Sequence, residues 1–479
     1  MEKTQIPDRK NGRGAKEVPQ NPAREHKEVI KTLLKTFTHF FGDVATRLGK
    51  LTDPRNPQRP EDINYSVASL VFAGVLMFTC RLGARRQVGL LLNTVSLAET
   101  FKQMFGVDGV PHGDTMNNVL SLLKVDETQE IVSSLAETLI DKKVLYPHRL
   151  FDKYYVVAID ATGMLTYDYR HCPYCLTKKH GDVTRYYHHV LEAKIVTPTG
   201  LAFSIMTEFI ENPEDDPSKS VAQRKQDCEL KAFYRMAERL QKRFPKLPLL
   251  LAFDGLYAVG PVFQICQRNN WKFTVTLSDD QLSSVNEEFD ALCSAEPGNS
   301  LVWHQGKKSA IRQQFRFAND IAYVDTEKRE HTLSVLECKD IRNGGDGEEE
   351  EKVTKFKWVT NVPLRKNNIV ELSNQGGRLR WKIENEGFNV QKTGGYKLEH
   401  AYCNDENAIK VYYLVLQIAH TLTQLLDRGS LLKKAFPRGF GSVKNLAFRI
   451  LEALRNAALT DGEYRELCML RIQIRFAPP

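Results

Sequence analysis

Two short hydrophobic segments far apart in the chain each end in an aspartate. YYVVAID ends at Asp160, and LPLLLAFD ends at Asp254. Their length and their aliphatic and β-branched content are typical of buried strands. An aspartate at the end of such a strand lies at the edge of a sheet, and neighbouring strands would bring two such side chains together. The segments therefore predict a sheet that carries a pair of carboxylates, although aspartates also commonly end strands as turn formers.

The segments that surround these two strands alternate between strand and helix patterns. HHVLEAKIVTP and LAFSIMTEFI have strand character and are joined by the turn signal TPTG. Amphipathic helical spacing follows in KQDCELKAFYRMAERLQKRF and YAVGPVFQICQRN, and KFTVTL has the pattern of a further strand. This order of elements predicts an α/β domain built on a mixed sheet.

Changes of pattern along the chain divide it into five regions. The start is basic and rich in Pro, Gly and Asn, which is typical of disorder. Helical spacing follows, then the α/β pattern, which is interrupted by strand signals around the acidic loop segment GGDGEEEE. The predicted regions are a disordered basic tail at 1–27, a helical region at 28–150, an α/β core at 151–277 and 363–428, a β-strand insertion at 278–362, and a C-terminal helical region at 429–479.

Charge, apolar runs and cysteine usage limit the class of protein. The net charge of +8 and the pI near 8.8 are compatible with an acidic partner such as nucleic acid, and also with an ordinary basic enzyme. The longest apolar run, Val67 to Cys80, is shorter than the roughly 20 residues that span a bilayer, so we expect a buried helix and no membrane partner. Nine scattered cysteines and a polar start without a signal peptide indicate a reducing, cytoplasmic environment.

A third acidic side chain of interest lies in the segment RLRWKIENEGFNVQK. The apolar spacing there is helical, and Arg380 precedes Glu384 by four positions, so the two side chains share one face. Two carboxylates that lie close together repel each other unless a cation lies between them, and Mg²⁺ prefers oxygen ligands. Asp160, Asp254 and Glu384 together would complete a site for two metal ions about 3.5–4 Å apart, which is the arrangement used in phosphodiester chemistry.

The order of these acidic residues, with strands inserted before the glutamate, resembles the DDE transposases of the insertion sequence four family. That family has a signature of Tyr, two residues, Arg, three residues, Glu, six residues and Lys. Here Arg380 and Glu384 have the family spacing. Gly377 stands at the Tyr position, and Lys392 lies one residue further along than the signature asks. The resemblance covers the chain from Tyr154 to Lys392.

The resemblance implies a fold, a reaction and partners. The core would be RNase H-like, with the helical region before it binding DNA ends. Asp160, Asp254 and Glu384 would be the catalytic residues and the ligands of two Mg²⁺ ions, which Mn²⁺ can replace. The protein would be a transposase that binds terminal inverted repeats in double-stranded DNA, cleaves at the element ends and joins them to target DNA, with hairpin ends as one route. A homodimer in the DNA complex and a nucleoid-associated location in a bacterial cytoplasm are also implied.

Three further residues have DNA-binding roles in the resemblance. Arg380 and Lys392 would face DNA phosphates near the cleaved bond, a role that suits the bidentate guanidinium of arginine. Trp358, in the strand segment KFKWVTN, would stack on a base flipped out of the duplex. The alternatives are a pair between Arg380 and Glu384 on an exposed helix, and a Trp358 that is simply a buried strand residue.

A cysteine–histidine segment, HCPYCLTKKHGDVTRYYHH, is a second candidate metal site. Cys172 and Cys175 form the Cys-x-x-Cys pair that is a common half of a zinc site. His180 and His188, or His189 in place of His188, would complete a tetrahedral set of structural zinc ligands. The alternative is a loop with two free thiols and solvated histidines. A catalytic zinc or a redox pair fits less well, because thiolate pairs usually mark closed sites and no thioredoxin-like pattern surrounds this one.

Four other carboxylates have no predicted catalytic role. Asp227 and Glu229 begin a predicted helix, where negative charge interacts favourably with the helix dipole. Glu208 and Glu211 close the third predicted strand and are left unassigned.

Two other functions are consistent with the same sequence features. One is a transposase-derived DNA-binding protein that retains the carboxylates without catalysis. The other is a metal-dependent nuclease of the same fold that lacks strand transfer. A transposase shows metal-dependent cleavage, which the non-catalytic DNA-binding protein lacks. A transposase also forms joined products, which the nuclease does not.

Overall fold

The computed structural model describes residues 21–56, 58–59, 63–212, 226–304, 311–342, 352–470 and 473–476. Within these residues, ten strands form one sheet that contains both parallel and antiparallel pairs. Helices cover the sheet, so the predicted α/β class with a mixed sheet is confirmed. Among the described helices, none combines the length and the apolar content needed to cross a membrane.

The strands follow one another along the chain in a different order from their order in the sheet. Their bounds are β1 Tyr155–Tyr167, β2 Leu176–His180, β3 Val183–Val196, β4 Ala202–Ile210, β5 Leu249–Phe253, β6 Lys272–Thr276, β7 Ser300–His304, β8 Ile311–Val324, β9 Glu330–Arg342 and β10 Lys352–Thr360. The order in the sheet is β2-β3-β1-β5-β6-β10-β9-β8-β7, and β4 also pairs with β3. Strands β1, β5 and β6 are mutually parallel. Strand β3 pairs antiparallel with β1, and β4 pairs antiparallel with β3.

The helices lie before, between and after these strands. Those that precede the sheet are α1 Pro22–Phe41, α2 Val44–Leu48, α3 Val67–Thr79, α4 Val95–Phe105, α5 Gly113–Leu120 and α6 Val125–Asp141. Those within the core and the insertion are α7 Glu229–Arg243, α8 Gly260–Arg268, α9 Ser283–Ala295, α10 Ile369–Gln375 and α11 Asn389–Thr393. The last group is α12 Glu406–Arg428, α13 Ser430–Ala435, α14 Val443–Asn456 and α15 Asp461–Met469.

The two central strands are buried on both faces, which explains why their sequences are hydrophobic without alternation. Along β1, Val157 and Ile159 face a large core that includes the N-terminal helices and α12. Val156 and Ala158 face a second, smaller core on the other side of the sheet. Every residue of β5 is buried in the same way. The two predicted strands therefore lie in the middle of the sheet. The prediction that the first strand ends at Asp160 is wrong, because β1 continues through Asp160 to Tyr167 in its pairing with β3, whereas β5 ends at Phe253, directly before Asp254.

The N-terminal region is helical, as predicted, but its first helix begins earlier. Helix α1 begins at Pro22, with Asn21 as the N-cap, within the segment predicted to be a disordered tail. Proline is favourable at the first helical position, because its missing N–H has no partner there in any case. Residues 1–20 lie outside the described residues. The apolar run from Val67 forms α3, and all of its residues are buried.

The predicted insertion contributes strands to the core sheet. Strand β10 pairs antiparallel with β6, with Val359 opposite Val275, so β7 to β10 continue the same sheet. Strand β8 is a single long strand with an irregularity between Ala318 and Ile321. Helix α9 also lies in this region, where mainly strands were expected. The acidic GGDGEEEE segment lies outside the described residues.

The segment that carries Glu384 is helical but irregular. A 3-10 helix spans Gly377–Arg380, a π-helix spans Ile383–Phe388, and α11 follows directly. Leu379, Ile383 and Phe388 are buried in the smaller core, which also contains Val156 and Ala158 of β1, whereas Trp381 is exposed. This packing holds the segment against the face of the sheet on which Asp160 lies.

Candidate active site and metal centre

The register between β1 and β5 brings the two predicted aspartates side by side. The strands pair in parallel, with Ala158 opposite Ala252, and each aspartate lies two residues further along its chain. Side chains two residues apart on a strand share a face, and neighbouring strands are about 4.8 Å apart. Asp254 follows the last residue of β5 and accepts a hydrogen bond from the Leu256 N–H at 2.9 Å. The pair predicted from the sequence is therefore present on one face of the sheet.

Arg380 joins this pair from the segment above it. Its Nη1 lies 3.1 Å from Asp160 Oδ2, and its side chain is almost completely buried. The guanidinium also lies 4.5 Å from the centre of the Trp381 ring. The alternative that we named for Arg380, a pair with Glu384 on an exposed helix, does not describe this arrangement. Arg380 faces the carboxylates, and its buried Nε has no hydrogen-bond partner within the part of the chain that the structure describes.

Glu384 lies close enough to act electrostatically on the same carboxylate. Burial is the largest cause of a rise in the pKa of Asp160 to about 6. The Arg380 charge opposes this rise, whereas the negative charges of Asp254 and Glu384 add to it. All three predicted catalytic residues are therefore part of one electrostatic cluster, in which the negative charges repel one another.

A fourth carboxylate, which the sequence analysis did not assign to the site, belongs to the same cluster. Glu229 begins α7, and burial, followed by the charges of Asp254 and Asp160, raises its pKa to about 7. The sequence signal was only its place in the first turn of a helix, which we interpreted as a dipole effect. That signal does not tell where the helix begins relative to the sheet. At neutral pH, a proton on Glu229 relieves part of the repulsion.

The balance of charges fits a divalent cation. The four carboxylates are accompanied by the Arg380 guanidinium, and two of them, Asp160 and Glu229, have pKa values raised by burial and by neighbouring carboxylates. A hard cation with oxygen ligands would replace the proton that the site otherwise takes up. Mg²⁺ is therefore chemically suited to Asp160, Asp254 and Glu384.

The other two predicted DNA-binding residues lie in different surroundings. Lys392 is on α11, and its Nζ forms an ion pair with Glu399 Oε1 at 2.9 Å. Trp358 is 3% exposed and stacks on Phe356, with ring centres 5.9 Å apart. This is the environment of the alternative that we named, a buried strand residue, and in it neither face of the ring is open to a base.

The glycine at the family's tyrosine position has a local explanation. A Cβ placed on Gly377 would lie 2.5 Å from Cε2 of Trp358, closer than side-chain atoms pack. The buried Trp358 ring therefore occupies the space that any side chain at this position would need. The departure from the family signature and the burial of Trp358 are two aspects of one packing arrangement.

The cysteine–histidine segment folds into a compact cluster, but one predicted ligand differs. Potential ligand atoms of His171, Cys172, Cys175 and His188 all lie within 4.8 Å of one another. His180 is exposed at the end of β2, next to the turn that leads into β3, and it lies outside this cluster. The prediction of His180 as a ligand is therefore wrong, because the β2–β3 hairpin directs it away from the cysteines. His171, which precedes Cys172, occupies the fourth position.

Burial sets the protonation of this cluster. Burial raises the pKa of Cys172 to about 12, and the hydrogen bond with Cys175 adds to the rise. Burial is also the main cause that lowers the pKa of His188 to about 4, with His171 and Lys410 contributing. His188 is therefore neutral near pH 7, which is the form that binds metals. This cluster could hold a metal ion.

The remaining carboxylates near β4 are held in ion pairs. Glu208 accepts from Arg235 Nε and from Arg239 Nη1, both at 2.7 Å. Asp227 pairs with Arg235 Nη2 at 2.7 Å, and Glu211 pairs with Lys410 at 2.8 Å. These pairs give the three acidic groups structural roles.

Comparison with known proteins adds no family to these observations. No protein-family model matches this chain, and no curated protein matches it significantly. The likeness to the DDE transposases is carried by the order and spacing of Asp160, Asp254, Arg380 and Glu384, and membership of that family stays a prediction.

Proposed function

We propose that this chain is a DNA transposase that uses Asp160, Asp254 and Glu384 for metal-dependent phosphoryl transfer. The observation that carries this proposal is the placement of the two aspartates, each two residues beyond the last registered pair of the parallel strands β1 and β5, with Glu384 acting on Asp160. Three carboxylates gathered from separate parts of the chain are costly to fold together without a cation. The placement of these mutually repelling carboxylates is therefore better explained by a function in metal binding than by a contribution to stability.

Each residue of the site has a definite part in this proposal. Asp160, Asp254 and Glu384 would hold Mg²⁺ through carboxylate oxygens. Bound Mg²⁺ would supply charge stabilisation and alignment for an in-line displacement at phosphorus. Arg380 keeps Asp160 in place through its hydrogen bond and offsets one negative charge next to the phosphodiester site. The mixed sheet, with parallel strands at its centre and antiparallel strands beside them, is compatible with the RNase H-like core that the resemblance implies.

The proposed substrate is double-stranded DNA that ends in inverted repeats. The net charge of +8 favours association with a polyanion. The N-terminal helices would recognise the repeat sequence, and a homodimer would bring two ends together. Cleavage at the element ends followed by joining to target DNA is the complete proposed reaction.

The Cys–His cluster is separate from this chemistry. Its ligands are thiols and imidazoles, whereas Mg²⁺ prefers oxygen. Zinc, the other cofactor expected from the sequence, would therefore have a structural task in the same protein.

The test is cleavage of a duplex that carries the terminal repeat of the element, with Mg²⁺ or Mn²⁺, by the wild type and by Glu384→Gln. Loss of one metal ligand removes several kcal/mol of transition-state stabilisation, which corresponds to at least about a hundredfold in rate. Glu386→Gln is the matched control, because Glu386 lies in the same π-helix but pairs with Lys382 at 3.0 Å. We expect this control to cleave at close to the wild-type rate.

Two other results would favour the alternative functions. Tight binding of the repeat without cleavage by the wild type, with either metal, would identify a DNA-binding protein that has lost catalysis. Metal-dependent cleavage without joined products would identify a nuclease. Equal loss of cleavage in Glu384→Gln and Glu386→Gln would remove the support for a specific role of Glu384.

A further inference from the structure

Three side chains of the Cys–His cluster have the spacing of ligands in a tetrahedral metal site. Zinc binds sulfur at about 2.3 Å and nitrogen at about 2.0–2.1 Å, so neighbouring ligands of a tetrahedral ion lie about 3.4–3.8 Å apart. Cys172 Sγ and Cys175 Sγ are 3.5 Å apart. His188 Nε2 lies 3.6 Å from Cys172 Sγ and 3.4 Å from Cys175 Sγ. All three separations fall within the range that a single zinc ion requires.

The fourth side chain, His171, is held in place by ring stacking. Its Nδ1 is buried and has no hydrogen-bond partner among the described residues. The His171 ring is stacked on Tyr167, with centres 4.4 Å apart and planes 8° from parallel, and its centre is 5.7 Å from that of His188. An unpaired buried ring nitrogen costs free energy unless it binds something. A metal ion would satisfy the imidazole while the stacking keeps it in place.

The backbone around the cluster is fixed by contacts of its own. Asn212, just after β4, donates from Nδ2 to the Cys175 carbonyl at 2.7 Å. Its N–H also donates to the Tyr174 carbonyl at 3.0 Å. The turn between the two cysteines is therefore attached to the end of β4, so the ligand geometry does not depend on a free loop.

We propose that His171, Cys172, Cys175 and His188 bind one zinc ion that clamps the connection between β1 and β2 to β3. Thiolate and imidazole ligands in a tetrahedral set select zinc over the hard cations that suit the carboxylate site. Four protein ligands leave no open position for a substrate, so the ion is structural. Because the base of the β2–β3 hairpin adjoins His188, the clamp fixes the hairpin relative to β1.

The proposal is independent of phosphoryl transfer, and its test requires no DNA. The full chain is purified without chelators, and its zinc content is measured by mass spectrometry. We expect about one zinc ion per chain in the wild type, and at least about a hundredfold weaker zinc binding in Cys175→Ser and His171→Ala. His180→Ala is the matched control, because His180 was a candidate from spacing alone, and it should keep the full zinc content.

Cobalt substitution covers the case in which a variant fails to fold. Wild-type protein stripped of metal and titrated with Co²⁺ should show visible bands and thiolate charge-transfer absorption of a tetrahedral site, with one ion at saturation. Zinc retained by His171→Ala but lost by His180→Ala would overturn the assignment of the fourth ligand. A wild type with no zinc, no tetrahedral cobalt spectrum and two freely titrating thiols at Cys172 and Cys175 would overturn the proposal altogether.

Discussion

Replacing Asp160 by asparagine should make the metal-free protein more stable at neutral pH, although it should abolish catalysis. The Asp160 carboxylate is buried among other negative groups, and its pKa rises to about 6. In the unfolded chain the same group has a pKa of about 3.9. The folded protein therefore binds a proton that the unfolded chain has already released, and this difference makes stability depend on pH.

The sign and size of the effect follow from that difference. Because the folded state holds the proton more tightly, stability falls as the pH rises from about 4 to about 6 and stays reduced above that. A difference of about two pH units corresponds to about 3 kcal/mol, which is the upper bound for Asp160→Asn. Asparagine has no charge to lose, and its amide oxygen can still accept from Arg380. The stability difference between variant and wild type should therefore grow by up to about 3 kcal/mol across this range.

The measurement is denaturant unfolding followed by tryptophan fluorescence, in chelator, at several values between about pH 4.5 and pH 7.5. The relevant quantity is how the difference in free energy of unfolding between Asp160→Asn and the wild type changes with pH. Any effect of the substitution that does not depend on pH cancels in this comparison. Asp279→Asn is the control, because Lys357 and then Lys355 lower the pKa of Asp279 to about 2. The difference in free energy of unfolding between Asp279→Asn and the wild type should change little with pH in this range. Asp279 is ionised in both the folded and the unfolded wild type there.

One result would refute the reasoning. If the difference between Asp160→Asn and the wild type stays constant from the acidic to the neutral end, burial and the neighbouring carboxylates do not raise the pKa of Asp160 as the structure indicates. A constant difference would also remove the physical argument for a cation at the site. If the stability difference grows with pH in chelator, and this growth disappears when Mg²⁺ is added, the result would support both the raised pKa of Asp160 and a cation at the site.

Three further results are expected. Mg²⁺ at ten to a hundred times its dissociation constant should stabilise the wild type by about 1.4–2.7 kcal/mol in unfolding experiments, and Glu384→Gln much less. Gly377→Ala should lower the free energy of unfolding by about 1–3 kcal/mol, because the new Cβ overlaps the buried Trp358 ring. Lys194→Met should lower it by about 3–5 kcal/mol, because Lys194 Nζ lies 3.0 Å from Glu192 and both are fully buried, and a second change, Glu192→Gln, should recover much of the loss.

The centre of the fold and two of the site residues could be predicted from the sequence because they depend on local pattern. Strands buried on both faces have continuous hydrophobic sequences, and this property identified β1 and β5 together with the aspartates that follow their apolar runs. The parallel pairing of these strands then placed Asp160 and Asp254 side by side. A carboxylate in a later helical segment was the natural third member.

The residues that sequence reasoning missed depend on contacts between distant elements. Glu229 joins the site because α7 begins close to Asp254 and Asp160, and no spacing along the chain encodes that position. His171 replaces His180 because the hairpin turn falls directly after His180, and the spacing pattern does not say where a hairpin turns. Helix α9 was missed because its surroundings have strong strand patterns.

The pairing of β10 with β6 also has a consequence for biosynthesis. Strand β6 is made about 80 residues before the strand that covers its outer edge. While the ribosome adds the intervening residues, the nascent chain carries a hydrophobic strand with an unpaired edge, which is the kind of surface that recruits other strands. Chaperone binding during this interval would protect the chain. The Asp160–Arg380 contact forms later still, so the candidate active site is assembled only after about four fifths of the protein has been synthesised.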